Sequence, residues 1–383
     1  MRILHTIPGR NWGGMEHRTI EQVRWLTTHD HAVWLAAPAD GEPFARAQKM
    51  GLPVIAFDFD RPWRLSTLLA LRDIVKQHRI EVIDTHVTRD AKAAMGCLDL
   101  CAVVRSRHVN QPLKPSAIRR LQWRQGADHI ITVAQCTRDH LIEIGLADPQ
   151  RSTAIGGWAD EKFFDLPDPV STRAEVRAEW GVGADEYVIV CVGMIRPDKG
   201  QDHLIAALGL LKQQGLTPKL VIVGAATAEA VEYESGLTDQ ARQLGIDGQI
   251  VFTGYRDDVA RMMIAGDLVV IPSLTEAQPR VAVQAFATAR PVVASAVGGV
   301  PEIVVDGKTG WLVPAADRPA LAAAIAKVMN DPQGAAAMAN GARTLAETSM
   351  RFDHRMAETL ATYETAMTRA KTRLLPPFRG LPA

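Results

Sequence analysis

The sequence predicts an α/β protein made of two doubly wound units, each with a parallel sheet. Short apolar runs, many of them rich in β-branched residues, alternate with longer helical patterns along the chain. This alternation is typical of βαβ units and parallel sheets. The chain also has 383 residues, which is more than one ordinary hydrophobic core accommodates, so two domains are expected.

Twelve apolar runs have the length and composition of strands, and they divide evenly between the two halves. Those of the first half are Ile3–Ile7, Ala32–Ala37, Pro53–Phe57, Val82–Thr85, Val103–Arg105 and His129–Val133. Those of the second half are Tyr187–Val192, Lys219–Val223, Gln249–Phe252, Asp267–Ile271, Pro291–Ser295 and Trp311–Val313.

A polar, proline-bearing stretch over residues 165–169 lies between the halves and predicts a linker. We therefore expect an N-terminal unit over residues 1–165 and a C-terminal unit over residues 170–350. Residues 351–383 are expected to form a last helix and a tail that pack back on the N-terminal unit.

Composition limits the possible functions. The 43 basic and 43 acidic residues give a net charge of zero, which argues against a general nucleic-acid binder. No apolar run approaches the ~20 residues of a membrane span, and the N-terminus has the pattern of a strand rather than a signal peptide. The cysteines lack metal-ligand spacing and are expected to be reduced thiols of a cytoplasmic protein: Cys97, Cys101, Cys136 and Cys191.

Two loops in the second half carry the strongest functional signal, because each follows an apolar strand and leads into a predicted helix. The first contains Arg196 and Lys199, and the second contains Glu276 before the predicted helix Arg280–Ala289. Ligands bind at the carboxyl ends of strands in open α/β sheets. Two cations there suit a diphosphate and a carboxylate suits sugar hydroxyls, so a nucleotide-diphosphate sugar is the expected ligand. The alternatives are a solvated turn for the cations and a helix cap for Glu276.

The first half has weaker candidates at its strand ends. Gly13 and Gly14 follow the first strand, where glycine lets the backbone approach a ligand closely, although such a pair is usually only a turn. His86 ends the fourth predicted strand and His108 ends the fifth. Each is a candidate site residue at the edge that faces the expected cleft, and the alternative for each is a structural role.

A basic segment lies between Val103 and Ala127, with six Lys or Arg residues and no Asp or Glu. Residues 117–125 predict a basic helix that could lie on anionic lipid or hold a phosphate-bearing acceptor. It could also be a solvated face. The residues proposed for this acceptor or membrane contact are His108, Lys114, Arg119, Arg120, Trp123 and Arg124.

Taken together and in order, the motifs resemble those of the retaining glycosyltransferases of family 4, which have the GT-B fold of two facing Rossmann-like domains with a cleft between them. The resemblance covers nearly the whole chain. It rests on Gly13-Gly14-Met15-Glu16, on Ala127 to Ala134, on Gly156-Gly157-Trp158-Ala159-Asp160, on the Arg196–Gly200 loop, and on Glu276 with the position eight residues later.

The resemblance implies transfer of a sugar, with retention, from a nucleotide-diphosphate sugar to a glycan or lipid-linked acceptor. The pathway implied is synthesis of a cell-surface polysaccharide or lipopolysaccharide, at the inner face of the cytoplasmic membrane. It implies catalytic roles for His86, Arg196, Lys199 and Glu276. The donor would also contact Gly13, Gly14, Arg280, Val281 and Gln284. No cofactor is implied, and no essential metal is expected because no Asp-x-Asp motif stands beside a donor loop.

One departure from the family pattern concerns the second signature glutamate, which is replaced here by Gln284. A glutamine amide can still bond a hydroxyl, so the contact to ribose is in doubt rather than lost. Two alternatives remain open: a GT-B epimerase acting on a UDP-sugar, and a catalytically silent sugar-nucleotide-binding or scaffold protein.

Overall fold

The computed structural model describes residues 1–111, 113–165 and 168–373. The chain forms two compact units. The first comprises Met1–Ile155 together with the chain from Met356 onward, and the second comprises Gly156–Arg355. The division therefore lies between Ile155 and Gly156 rather than at the expected linker, in which Leu166 and Pro167 lie outside the described residues.

The physical reason for this earlier division is apolar packing. Phe163 and Phe164 are buried in a core cluster of the second unit. Nearby, Trp158 stacks on Phe352 with ring centroids 4.5 Å apart. Burial of these aromatic side chains fixes residues 156–165 to the second unit.

The first unit contains a seven-stranded parallel sheet in the order β3-β2-β1-β4-β5-β6-β7. Its strands are β1 (Arg2–Thr6), β2 (Ala32–Ala37), β3 (Val54–Ala56), β4 (Val82–Thr85), β5 (Ala102–Arg107), β6 (His129–Thr132) and β7 (Ser152–Ala154). The helices between them are α1 (Gly14–Thr28), α2 (Glu42–Lys49), α3 (Leu65–His78), α4 (Thr88–Ala94), α5 (Ala117–Gln125) and α6 (Gln135–Glu143).

The second unit contains a six-stranded parallel sheet in the order β10-β9-β8-β11-β12-β13. Two helices precede it, α7 (Glu161–Phe164) and α8 (Pro169–Glu179). Its strands are β8 (Val188–Val192), β9 (Lys219–Val223), β10 (Ile250–Phe252), β11 (Leu268–Ile271), β12 (Val292–Ser295) and β13 (Trp311–Val313). The remaining helices of this unit are α9 (Gln201–Gln213), α10 (Val231–Gln243), α11 (Val259–Ala265), α12 (Arg280–Ala287), α13 (Arg318–Asn330) and α14 (Pro332–Ser349). The last helix, α15 (Phe352–Thr372), begins in this unit and belongs to the first unit from Met356 onward.

All twelve predicted strands are present, with ends that match or differ by at most two residues, and the predicted α/β class with two parallel sheets is confirmed. Strands such as β8 and β11 read as continuous apolar runs because helices cover both faces of the sheet. Sequence reasoning missed β7, a short edge strand whose residues Ser-Thr-Ala give no apolar signal.

The last helix, α15, contributes a buried polar contact to the first unit. Tyr363 is fully buried, and its hydroxyl donates a 2.6 Å hydrogen bond to Asp84 Oδ2. Near the end of the described chain, Arg373 pairs with Asp128 at 2.6 Å. The tail beyond residue 373 lies outside the described residues.

Among the described residues, no helix combines the length and the apolar character that crossing a bilayer requires.

Candidate active site

The two informative loops of the second unit leave the sheet at its topological switch point. β8 and β11 are neighbours, and from there the chain builds β9 and β10 on one side and β12 and β13 on the other. Such a point leaves a crevice at the carboxyl ends of the strands. The loop after β8 carries Arg196 and Lys199, and the loop after β11 carries Glu276.

The two loops touch through their backbones. Gly200 has φ of 68°, and a methyl group in place of its hydrogen would lie 2.2 Å from the carbonyl oxygen of Pro272. Only glycine allows this close approach. The Leu274 amide also donates to the Asp198 carbonyl at 2.9 Å. The backbone therefore holds the two loops together before any side chain is considered.

Charged side chains then meet at this contact. Lys199 Nζ donates to Glu276 Oε1 at 2.5 Å, and the Ser273 hydroxyl donates to the same oxygen at 2.9 Å. Arg196 Nε donates to Asp198 Oδ1 at 2.8 Å. Each cation thus has a carboxylate partner from its own unit, and the cations remain partly accessible to solvent.

The helix after Glu276 places the remaining donor candidates. α12 begins at Arg280 as predicted and ends at Ala287, two residues before the predicted end. Arg280 lies over the Trp158 ring with its guanidinium carbon 5.1 Å from the centroid. Val281 packs against the core, and Gln284 is half-buried within the helix.

In the first unit, histidines from three neighbouring strand ends form a chain. His5 Nδ1 and His86 Nε2 are 3.1 Å apart, and His86 Nδ1 and His108 Nε2 are 2.8 Å apart. His5 lies on β1, His86 follows β4 and His108 follows β5, so the chain crosses the switch point between β1 and β4. Asp84 lies beside it and accepts hydrogen bonds from Ser106 at 2.7 Å and from Tyr363.

Burial favours the neutral form of each titratable group in this cluster. It lowers the pKa of His5 and of His108 to about 3, and lowers that of His86 well below its usual value. Burial also raises the pKa of Asp84 to about 7, against the hydrogen bonds from Tyr363 and Ser106, which lower it. Charged forms are disfavoured because the cluster is removed from water.

The structure changes the expectation for His86. Its side chain is buried and both ring nitrogens face other imidazoles, so a direct contact with a ligand would require this chain to open. Asp90 explains why the loop is fixed, since its carboxylate accepts from the amides of His86 at 2.7 Å and Val87 at 3.0 Å. His108 is less buried, and its Nδ1 has no hydrogen-bond partner among the described residues.

The glycine pair of the first loop lies at the start of α1. Gly13 precedes the helix and Gly14 is its first residue. A methyl group at Gly13 would lie 3.1 Å from Glu16 Oε2, so the Glu16 carboxylate folds back over this turn. Burial raises the pKa of Glu16, against hydrogen bonds from the Glu16 and Gly13 amides, which lower it.

The basic segment forms α5 at the predicted residues, with Ser116 capping the Arg119 amide at 3.2 Å. Trp123 corrects the prediction. It is 4% exposed and lies beneath the Arg105 guanidinium, 3.8 Å from the ring centroid, so it packs inward and cannot form a surface contact. Ile118 and Leu121 are the apolar residues that face solvent, beside the exposed Lys114, Arg120 and Arg124.

One group in the described part of the chain has metal-ligand character. Atoms of His5, Asp84 and His86 lie within 4.8 Å of one another, and imidazole with carboxylate suits several divalent metals. The two imidazole nitrogens are at hydrogen-bond distance from each other, which accounts for the arrangement without an ion.

Sequence reasoning missed several residues of these clusters: His5, Asp84, Ser106, Asp198, Ser273 and Tyr363. Asp84 gave a usable signal, because a carboxylate inside the apolar run Val-Ile-Asp-Thr must find partners when it is buried. Tyr363 gave none, since it reaches Asp84 from a helix far away in the sequence.

Comparison with known proteins agrees with this architecture. The model of glycosyl transferases group 1 matches residues 172–345, and that of glycosyltransferase family 4 matches residues 12–161. A D-inositol 3-phosphate glycosyltransferase of Mycobacteroides abscessus is 37% identical over 190 residues, which is 49% of this chain and 41% of that protein. This chain spans only about half the length of the curated relatives that it matches, between 41% and 55%.

Solved structures share the fold over nearly the whole chain. Anabaena Alr3699/HepE in complex with UDP superposes with a TM-score of 0.81 at 23% identity, covering 95% of this chain and all of that one. The same protein is also known with UDP-glucose. WaaG, a glycosyltransferase involved in lipopolysaccharide biosynthesis, superposes with a TM-score of 0.67 at 17% identity, covering 94% and 98% of the two chains.

Two Rossmann-like units with parallel sheets, and a charged switch point in the second, define the GT-B class of glycosyltransferases. With the family 4 model matched mainly in the first unit and the group 1 model matched in the second, the chain belongs to glycosyltransferase family 4.

Proposed function

We propose that this protein is a retaining glycosyltransferase that moves a sugar from a nucleotide-diphosphate sugar to a glycan or lipid-linked acceptor. The observation that carries the proposal is the Lys199–Glu276 pair at the switch point of the second unit, with Arg196 on the same loop as Lys199. UDP and UDP-glucose in the Anabaena relative support a nucleotide-sugar donor.

The two cations would hold the diphosphate. As the bond between sugar C1 and the diphosphate oxygen breaks, negative charge grows on the leaving group. Fixed cations then stabilise the transition state more than the ground state. Arg196 can bond a phosphate with two parallel N–H groups, and Lys199 adds a point charge.

The ion pairs of the donor site couple diphosphate binding to sugar binding. Lys199 must leave Glu276 to meet a phosphate, and the released carboxylate then becomes available to sugar hydroxyls. Arg196 must likewise exchange Asp198 for phosphate. The carboxylates thus keep the empty site close to neutral, which limits the electrostatic cost of two neighbouring cations.

Retention follows if the acceptor oxygen bonds C1 on the face from which the diphosphate departs. The acceptor's proton then passes to the leaving phosphate oxygen, so no carboxylate nucleophile and no metal is required. Positioning and electrostatics would supply the rate.

The proposed acceptor belongs to cell-surface polysaccharide synthesis, and the WaaG likeness supports this assignment. We place the protein at the inner face of the cytoplasmic membrane, held through the cations of α5. The acid-free basic segment and its two outward apolar side chains support this placement.

Alanine substitution of Arg196 or Lys199 tests the proposal. Each variant should lose turnover by ~2–4 kcal/mol of transition-state stabilisation, as for one oriented oxyanion donor, with the fold retained. Release of nucleoside diphosphate at saturating donor is the measurement. Lys308→Ala, at an exposed lysine of the same unit, is the matched control and should keep the wild-type rate. Wild-type rates in both test variants would refute the diphosphate contact.

Gln284 in place of the signature glutamate favours one alternative, a silent sugar-nucleotide-binding protein. Such a protein would bind the donor and release no nucleoside diphosphate, so the same assay with unaltered protein separates the two functions.

A further inference from the structure

Five of the exposed large apolar side chains of the first unit form two groups, whereas Met50 and Val109 lie outside them. On and just before α3, Trp63 is 50% exposed, Leu65 54% and Leu69 44%. On α5, Ile118 is 71% exposed and Leu121 62%. Single exposed apolar residues need no explanation, but grouped ones mark interaction surfaces.

Both groups lie on one face of the sheet. α3 connects β3 to β4 and α5 connects β5 to β6, so both crossovers advance in the same direction along the strand order. Right-handed connections therefore place both helices on the same side. The turn at residues 95–97 lies between them: a methyl group at Gly96 would be 3.1 Å from Leu68 on α3, and one at Gly126 would be 2.9 Å from Met95.

Both groups also lie at one edge of that face. Helices of a parallel sheet run back against the strands, so their first turns lie at the carboxyl ends of the strands. Residues 63–69 precede and open α3, and residues 118–121 belong to the first turns of α5. The same edge carries His86 and His108, which directly follow β4 and β5.

Positive charge lies beside both apolar groups, between the exposed acids Asp60 and Asp73 in the case of the α3 segment. Residues 61–72 contain three arginines and no acid, and the segment between Val103 and Ala127 contains six cations and no acid. Arg61 and Arg64 are exposed beside Trp63, and Lys92 on α4 is half-exposed between the two helices. Of the three arginines in the α3 segment, only Arg72 forms an ion pair within the described residues, and its partner is Asp99.

We propose that Trp63, Leu65 and Leu69 form, with Ile118 and Leu121, one surface that docks on an anionic bilayer. Apolar tips enter the headgroup boundary while the arginines bind anionic headgroups. Because the surface borders the edge with the histidine chain, docking brings a lipid-linked acceptor to that edge. The inference rests on the proposed membrane-held acceptor and adds α3 as a second contact that fixes the orientation.

Co-sedimentation with vesicles tests the surface, with phosphatidylcholine–phosphatidylglycerol vesicles compared with pure phosphatidylcholine. The double variants W63S/L65S and I118S/L121S should each weaken binding to the anionic vesicles about tenfold, from the apolar area no longer buried. Met50→Ser is the matched control. Met50 is 54% exposed at the end of α2, whose crossover runs the other way along the sheet. This variant should bind like the wild type.

Tryptophan fluorescence provides a second measurement, which reports whether Trp63 enters the bilayer even if a substitution leaves the affinity for vesicles unchanged. The protein has eight tryptophans. Anionic vesicles should shift the emission to shorter wavelength, and Trp63→Phe should remove most of this shift.

Two outcomes overturn the inference. In the first, W63S/L65S pellets like the wild type while R119E/R120E/R124E is released, which leaves α5 as the contact and excludes α3. In the second, the protein pellets with neither vesicle at low salt, which excludes the membrane for both helices. Neither outcome depends on the glycosyl transfer itself, because W63S/L65S should turn over a water-soluble acceptor at the wild-type rate. If the unaltered protein transferred no sugar to a water-soluble acceptor, that result would refute the proposed function and leave the docking surface untouched.

Discussion

At the scale of single residues, the question at Gln284 is whether its amide replaces the signature glutamate in contacting the donor's ribose. We expect Gln284→Glu to keep activity, because both side chains can bond a ribose hydroxyl. Gln284→Leu should raise the donor Michaelis constant several-fold, because loss of one neutral hydrogen bond costs about 0.5–1.5 kcal/mol. Steady-state kinetics with varied donor measures both.

The control for Gln284 is Gln243→Leu, at an exposed glutamine that ends α10 in the same unit. Its Michaelis constant should match that of the wild type. An unchanged constant in Gln284→Leu as well would assign Gln284 to helix packing alone.

Asp84 makes stability depend on pH. Its pKa is raised to about 7 by burial, whereas an unfolded aspartate titrates near 3.9. Between these values the folded state holds a proton that the unfolded state has lost, so the free energy of unfolding falls as pH rises. A difference of about three pH units corresponds to roughly 4 kcal/mol. The histidines act oppositely: their lowered pKa values cost stability as pH falls below about 6.5.

Asp84→Asn should remove the loss of stability that occurs as pH rises, because the amide resembles the neutral acid and does not ionise. The variant should gain stability over the wild type at about pH 8 and much less at about pH 5, as measured by urea unfolding. Asp73→Asn, at an exposed position of α3, is the control and should show no such trend. A constant difference between Asp84→Asn and wild type across this range would contradict the pH effect.

At the scale of elements, Gly200 joins the two loops of the proposed donor site. Gly200→Ala should lower turnover and destabilise the second unit by about 1–3 kcal/mol, since the new methyl group would meet the Pro272 carbonyl and the residue has positive φ. Gly215→Ala separates these causes. Gly215 has φ of 80° but open space around it, so that variant should cost about 1 kcal/mol and keep turnover. Equal loss of turnover in both variants would contradict the role of the loop contact.

Elements whose signal is local in sequence could be predicted from the chain alone. The strands, the α5 helix and the charged loops each depend on a continuous apolar or basic pattern, and each appears where that pattern indicates. Residues whose role depends on distant partners could not be predicted. The position of Trp123 among arginines predicts a surface residue, but the Arg105 guanidinium covers its ring from a neighbouring strand. Tyr363 and the division before Gly156 depend on packing between segments far apart in the sequence.

At the scale of the whole molecule, the proposed reaction takes the charge needed for leaving-group stabilisation from the chain itself. Arg196 and Lys199 supply two positive charges at the switch point of the second unit, which is the role that a divalent ion plays in metal-dependent transfer. We therefore expect turnover to persist in excess chelator and to gain little from added Mg²⁺ or Mn²⁺. Measured release of nucleoside diphosphate with and without chelator decides this.

The chelator experiment needs a control at the histidine chain of the first unit. Among the described residues, His5, Asp84 and His86 come closest to a metal-ligand arrangement, so any bound ion would be sought there. Elemental analysis of the purified protein should find less than one equivalent of metal, and His5→Ala should leave that content unchanged. If chelator abolishes turnover and Mn²⁺ restores it, the two cations do not suffice. If His5→Ala then also loses bound metal, the ion belongs to the first unit, and the charge balance proposed for the donor site must be revised.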